Sequence, residues 1–421
     1  MAYAIILFAI TYVLMITLSK YRVYVALTSA IIFVVTGLLP IGEVLGYIDF
    51  NVLMMIAGTM EIVALFIESK MPNRLADIII DRVPNVKWAV IALSLFAGII
   101  SAFVDNVATV LMVAPVAMAI AKRLKINPVP MIIAIAVSSN LQGAATLVGD
   151  TTSILLGGAA NMNFIDFFVY QGKPSIFFAV ELGAVVSVFI LLLVFRKDNE
   201  KISSRNVTKV TDYFPTMLLV MMIALLITAS FIPNTPSTIN GIICLSLMVI
   251  GIIYEAIRKR SLSAFVVPMK EIDFQTIGLL FGLFVVIGGI EYNGVIDALA
   301  NWLASLGGSV FIIYTIIVWA SVLFSAFIDN IPYVATMLPV VAGLAAKMGI
   351  DPTVLYFGLL CGATLGGNLT PIGASANITG IGILRKEGYE VKNRDFFKIG
   401  IPFTLGALIP AYIYIWLVYG I

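Results

Sequence analysis

Two short stretches carry most of the polar chemistry of an otherwise apolar chain. Ser101-Ala-Phe-Val-Asp-Asn106 and Ser325-Ala-Phe-Ile-Asp-Asn330 are near copies, 224 residues apart, and each interrupts an apolar run. Two further segments break long apolar runs, Ser138–Ser153 and Gly362–Asn377. Candidate binding groups follow directly. They are Asp105, Asn106 and Thr109 at the first break, Asp329 and Asn330 at its copy, Asn140, Gly143, Thr146, Asp150 and Thr151 in the third segment, and Thr364, Asn368, Thr370, Ser375 and Asn377 in the fourth. Unwound backbone exposes carbonyl oxygens that can replace the hydration shell of Na⁺, and half-helix N-termini offer N–H groups and a positive dipole end to an anion. An acid inside a membrane is expensive and marks a functional site by default. No Lys or Arg falls within an apolar core segment, so Asp105, Asp150 and Asp329 are expected to lack a basic partner and to need a cation, a proton or an amide.

Simpler roles stand beside these. Asp and Asn are strong helix N-caps, so each Asp-Asn pair could only cap the helix that follows. Gly143, Gly149, Gly367 and Gly373 could serve close packing. Asp150 has no acidic twin, because Ala374 holds the equivalent place. It is therefore the more specific ion-site candidate. Glu61 lies deep in an apolar run, Glu68 near its solvated end, and Glu181 reads as interfacial.

The elements that must position these groups are membrane helices. Hydrophobic residues make up 61% of the 421, and charged residues only 11%. A soluble domain averages roughly 45–50% apolar and about 25% charged, so the solvent is lipid. The opening residues lack a basic start and a cleavage site, and read as a first membrane helix. With about 20 residues per crossing, spans are expected near 2–18, 23–39, 50–68, 129–162, 175–195, 214–232, 238–256, 273–291, 353–384 and 399–419. Those at 129–162 and 353–384 are broken helices. Residues 88–122 and 309–347 are expected to be re-entrant hairpins with Asp-Asn at the tip, since non-helical backbone at membrane depth must be enclosed by protein or line a cavity.

The 224-residue offset also pairs Asp49 with Asp273, Gly58 with Gly282, Pro115 with Pro339, Gly143 with Gly367, Thr146 with Thr370 and Gly149 with Gly373, without a gap. The fold expected is an all-α polytopic membrane protein of two repeats, 1–195 and 213–421, joined by a polar linker at 196–212. Five crossings per repeat is an odd number, so the second repeat is inverted, the architecture of secondary transporters. This topology puts 23 of the 25 basic residues on one side and only Lys173 and Lys347 on the other. By the positive-inside rule the linker is cytoplasmic and both termini are extracellular, in a plasma membrane.

Several classes drop out. There is no histidine, no nucleophile–base pair and no phosphate loop, so an enzyme is not expected. Nor is a nucleic-acid partner or a resident cofactor. Cys244 and Cys361 sit in apolar runs and read as core residues. What remains is transport of a small solute of the anion or oxyanion class, coupled to Na⁺ or H⁺. The alternatives are a Na⁺/H⁺ antiporter without other cargo, or a passive channel.

The tip motifs and the GAATLVGDTTS and GGNLTPIGASAN segments resemble those of the ion transporter superfamily. They are most similar to the branch with a citrate-transporter-like domain, which holds arsenite permeases, D-type Na⁺/H⁺ antiporters and the P protein. The resemblance spans about 400 residues. It implies a homodimer with a scaffold and a moving transport part. It also implies sodium sites at Asp105, Asn106, Asn140, Thr146 and Asp150, and at Asp329, Asn330, Thr364, Asn368, Thr370 and Ser375. The related divalent-anion symporters carry Ser-Asn-Thr at both tips. Here Asp105-Asn106-Val107 and Asp329-Asn330-Ile331 lose the hydroxyls and add charge, which argues against dicarboxylate uptake.

Overall fold

The computed structural model describes residues 1–201, 208–259, 273–306 and 309–420. Arg205, Arg260, Lys270 and the centre of the 196–212 linker lie outside the described residues. Among those described there are eighteen helices of nine residues or more. In the first half they are α1 (Ala2–Thr17), α2 (Arg22–Val35), α3 (Phe50–Glu68), α4 (Met71–Ile80), α5 (Val86–Ser101), α6 (Asn106–Leu124), α7 (Val129–Gly143), α8 (Thr151–Ala159) and α9 (Ile176–Val194). The second half repeats the series as α10 (Phe214–Ser230), α11 (Ile239–Lys259), α12 (Phe274–Tyr292), α13 (Val295–Leu306), α14 (Val310–Ser325), α15 (Asn330–Met348), α16 (Thr353–Gly366), α17 (Ser375–Lys386) and α18 (Asn393–Tyr419). The β structure described is one two-stranded hairpin, Val169–Tyr170 with Lys173–Pro174.

The repeat extends to the local rules that start and stop each helix. Asp49 caps α3 and Asp273 caps α12; Asn85 caps α5 and Ser309 caps α14. Helices α6 and α15 both end in a left-handed residue, Lys125 at φ 55 and Gly349 at φ 66. A shared backbone conformation under different side chains shows that the duplication is structural.

Among the described residues, seven helices are long and apolar enough to cross a membrane singly. Two of these, α6 and α15, are hairpin arms; the other spans fall on shorter apolar helices, α1, α2 and α10, or on the broken pairs α7–α8 and α16–α17. Helices α5–α6 and α14–α15 are the two hairpins, with tips at 102–105 and 326–329.

The halves are woven together. Helix α3 packs along α11, and α12 packs along α2. Each crossing is tight at a glycine: a Cβ on Gly58 would lie 2.4 Å from the Cys244 carbonyl carbon, and one on Gly282 would lie 2.8 Å from that of Ala26. Helices α9 and α18 pack against each other. There Gly183 meets Ala407, its own counterpart, since a Cβ on Gly183 would lie 2.7 Å from the Ala407 carbonyl oxygen. Equivalent positions that touch lie close to the axis relating the two halves, and the five crossings per half that the sequence predicts put that axis in the membrane plane. The repeats are therefore inverted. At the centre, α7 and α16 are buried on nearly every face, as expected of helices that are apolar all round.

Candidate functional site

The tips form because an aspartate stops one arm and starts the next. Asp105 Oδ1 accepts from the backbone N–H groups of Val107 (2.9 Å) and Ala108 (3.2 Å). Asp329 Oδ1 accepts from Ile331 N–H at 3.1 Å. Capping is thus part of what both acids do. Asp150 differs: it precedes α8, but its side chain makes no cap bond. Its Oδ2 accepts from the Thr152 hydroxyl at 3.0 Å instead.

Behind each tip the broken helix is fastened by two matching bonds and one that differs. Thr146 donates to the Ala102 carbonyl, and Thr370 donates to that of Ala326 at 2.5 Å. Ser153 donates to the Gly143 carbonyl at 3.3 Å, and Asn377 to that of Gly367 at 3.1 Å. Ser139 donates to the Asn106 carbonyl at 3.0 Å, while in the other half Ser325 donates to the Ala363 carbonyl at 2.5 Å. The breaks approach the tips so closely that only glycine fits. A Cβ on Gly149 would lie 2.5–2.8 Å from the carbonyl oxygens of Gly143, Ala102 and Ser101. One on Gly373 would lie 2.6–2.9 Å from those of Gly367, Ala326 and Ser325.

A buried amide network joins the halves. Asn106 Nδ2 donates to Asn140 Oδ1 at 2.9 Å. Asn140 Nδ2 donates across to the Thr364 carbonyl at 2.7 Å and to Asn368 Oδ1 at 3.1 Å. Asn368 Nδ2 returns the contact to the Val137 carbonyl at 2.9 Å. Asn140, Thr364 and Asn368 are fully buried, so every partner matters.

In front of this network lies a cavity of about 290 Å³. Asp105, Asn106, Asp150, Thr151, Asp329, Asn330 and Ser375 line it, with Met60, Val63 and Ala64 of α3 forming an apolar wall. Residues from both tips and both breaks thus share one space. The other sequence candidates stand behind it. Asn140, Gly143, Thr146, Thr364, Asn368, Thr370 and Asn377 belong to the fastening network, and Thr109 is buried with its hydroxyl on the Val104 carbonyl at 3.4 Å.

One expectation fails. The acids were expected to have no basic partner, yet Arg22 pairs with Asp329 Oδ2. Its place at the end of the first apolar run reads as a loop charge, and the sequence carries no sign that 307 residues of separation close to a contact. Asp273 and Thr276 also line the cavity; the 49/273 pairing flagged Asp273 as part of the repeat but not of the site. Glu181 turns inward, where Gln142 Nε2 donates to its carboxylate at 3.1 and 3.3 Å. Glu61 is fully buried and Glu68 is exposed.

Four aspartates and one arginine therefore face one space, but among the described residues no three acidic, Cys or His side chains gather as a metal cluster. Any cation held here would be met by a mixture of carboxylate, carbonyl, hydroxyl and amide oxygens, a donor set suited to a hard ion such as Na⁺.

The sequence pattern of the family described as Citrate transporter matches residues 12–357 and 245–421. Over 427 residues the chain is 31% identical to a 46 kDa membrane protein of Mycobacterium leprae, covering 99% of this chain and 98% of that protein. It is 25% identical over 444 residues to the P protein of Homo sapiens, a match to 86% of this chain and 52% of the longer protein. Among solved structures, the YdaH transporter of Alcanivorax borkumensis has a similar fold, with a TM-score of 0.63, 13% identity, and coverage of 89% of this chain and 87% of that one.

Proposed function

The chain belongs to the citrate transporter family, and from that premise we propose that it is a secondary active transporter. It moves a small anion or oxyanion through the central cavity, coupled to Na⁺ or H⁺. The observation that carries this reading is the meeting of both tips and both breaks around one space. Groups drawn symmetrically from two inverted halves can be exposed to either side by moving one part against the other, which is alternating access.

The coupling cation follows from charge. Asp105, Asp150, Asp273 and Asp329 outnumber Arg22 in the cavity wall, and an anion entering would meet net negative charge. A Na⁺ or a proton taken up with it offsets that repulsion. Asp150 is the best-suited acid, because it spends no oxygen on a helix cap. Asp105, Asn106, Asp329 and Asn330 complete the cation ligands we assign. The N-termini of α8 and α17, neither capped by a side chain, suit the cargo's negative end. The hairpins and broken helices form the moving part. The same reading places the protein in the plasma membrane as a homodimer, with the linker cytoplasmic and both termini outside.

The acid excess also supports a second reading, a Na⁺/H⁺ antiporter with no other cargo. Reconstitution separates the two. Proteoliposomes should accumulate citrate, sulfate or arsenite only under an imposed Na⁺ or pH gradient. Proton release on Na⁺ addition, with no flux of any solute, would favour the antiporter. Single-channel currents would favour a channel and overturn both.

A further inference from the structure

Among the described residues, the one basic group in the cavity wall belongs to a residue that the hairpin does not need. Arg22 opens α2 and places its guanidinium on Asp329 Oδ2. The other tip is an internal control. Asp105 caps α6 as Asp329 caps α15, the Thr146 and Thr370 fastenings match, and among the described residues Asp105 forms no ion pair. A tip of this design therefore folds without an arginine. Nor is the pair required to dock the first helices on α15, since the Tyr12 hydroxyl donates to the Pro332 carbonyl at 2.8 Å.

The chemistry of the pair suggests what the arginine is for. A guanidinium presents five N–H donors in a planar fork that matches a carboxylate or a tetrahedral oxyanion. Only Nη1 is engaged with Asp329. The pair is also partly open, with side-chain exposures of 30% for Arg22 and 21% for Asp329. Asp329 keeps its cap through Oδ1, while Oδ2 has a second donor waiting in the Ser375 hydroxyl at 3.4 Å. The carboxylate can therefore give up Arg22 without losing its place on the tip.

We propose that Arg22 is the group that selects an oxyanion cargo, and that Asp329 is its internal competitor. The cargo takes the place of Asp329 Oδ2 on the guanidinium, which unties the second hairpin tip from α2. The contact of this tip with α2 then depends on cargo, while the Tyr12 bond to Pro332 still holds α15 against α1. This deepens the transport reading above and rests on it: it assigns the recognition group and makes the tip contact part of the cycle.

The test is binding to the purified full chain, with citrate and inorganic phosphate as probes, by calorimetry and thermal shift. Wild type should bind at least one probe. Arg22→Gln should weaken it by about tenfold or more, the loss of one charge-assisted contact. Arg22→Lys should recover only part of this, because a point charge lacks the fork. Asp329→Asn keeps a capping side chain and, in sodium-free buffer where its part as a cation ligand does not enter, should bind the probe several-fold more tightly, roughly the release of one competing contact. If Arg22→Gln does not fold, the double variant Arg22→Gln/Asp329→Asn leaves no lone charge and carries the same expectation of lost binding. Wild-type affinity in Arg22→Gln, or in the double variant, would overturn the assignment. So would weakened binding in Asp329→Asn. A wild type that binds neither probe but still drives gradient-dependent flux overturns the role of Arg22 and leaves coupled transport standing. Arg22-dependent binding with no gradient-dependent flux does the reverse.

Discussion

Asn140 and Thr364 are the same position of the repeat, and the side-chain amide of the first donates to the backbone carbonyl of the second at 2.7 Å. The contact lies on the axis that relates the two halves. It ties the end of one half-helix to the end of the other, and through Asn106 to the first tip. Asn140→Leu should therefore strand the Thr364 carbonyl and the Asn106 amide. Each buried group left unpaired costs roughly 1–3 kcal/mol, so the melting temperature should fall clearly. Thr364→Ala should be much milder, because the bond is to its backbone. Equal melting curves for the two variants would contradict this.

Gly149→Ala and Gly373→Ala should fail alike. Each new Cβ would press on three carbonyl oxygens at 2.5–2.9 Å, a clash worth about 1–3 kcal/mol if the loop cannot shift. Gly382→Ala is the control, since nothing lies within 4 Å of its Cβ. Reconstituted flux and thermal stability should drop in the first two and hold in the third.

Asp150→Asn should separate function from folding. Its carboxylate caps nothing, so stability should stay near wild type while gradient-driven flux is lost. Asp105→Ala should lose both, since a helix cap is worth about 1 kcal/mol. Full flux in Asp150→Asn would remove this residue from the coupling site.

The ion pairs outside the site should differ in weight. Lys122 and Glu387, 2.5 Å apart, are both exposed, and Glu387→Gln should cost about 0–1 kcal/mol. Glu255 is buried and bonds Arg258 at 2.9 Å and also Lys259, while Lys259 reaches Glu68 at 2.9 Å. Its partners are about a third exposed, so Glu255→Gln should cost about 1–2 kcal/mol. Chemical denaturation of the two variants in one detergent checks the order.

The tips and the breaks are legible in the sequence because Asp, Asn and Gly stand out against an apolar background, and a gapless offset ties the copies together. Their convergence follows from symmetry, which the polar positions alone reveal. The contact of Arg22 with Asp329 does not follow, because symmetry says nothing about a residue that only one half uses. The inward turn of Glu181 was hidden for the same reason: Gln142 is matched by Gly366, and Glu181 by Leu405. The division of labour among the acids also required coordinates, since Asp105, Asp329 and Asp150 all precede a helix but only the first two cap it.

One tip from each half opens onto the same cavity. Substituted cysteines at Ala108 and Ile331, which both line it, test this against a quiet background, because Cys244 and Cys361 are buried. A membrane-impermeant thiol reagent applied to oriented vesicles should modify both positions from one face, and an excess of bound solute should protect both together. Labelling of position 108 from one face only and of position 331 from the opposite face only would mean two separate spaces, and would contradict the account.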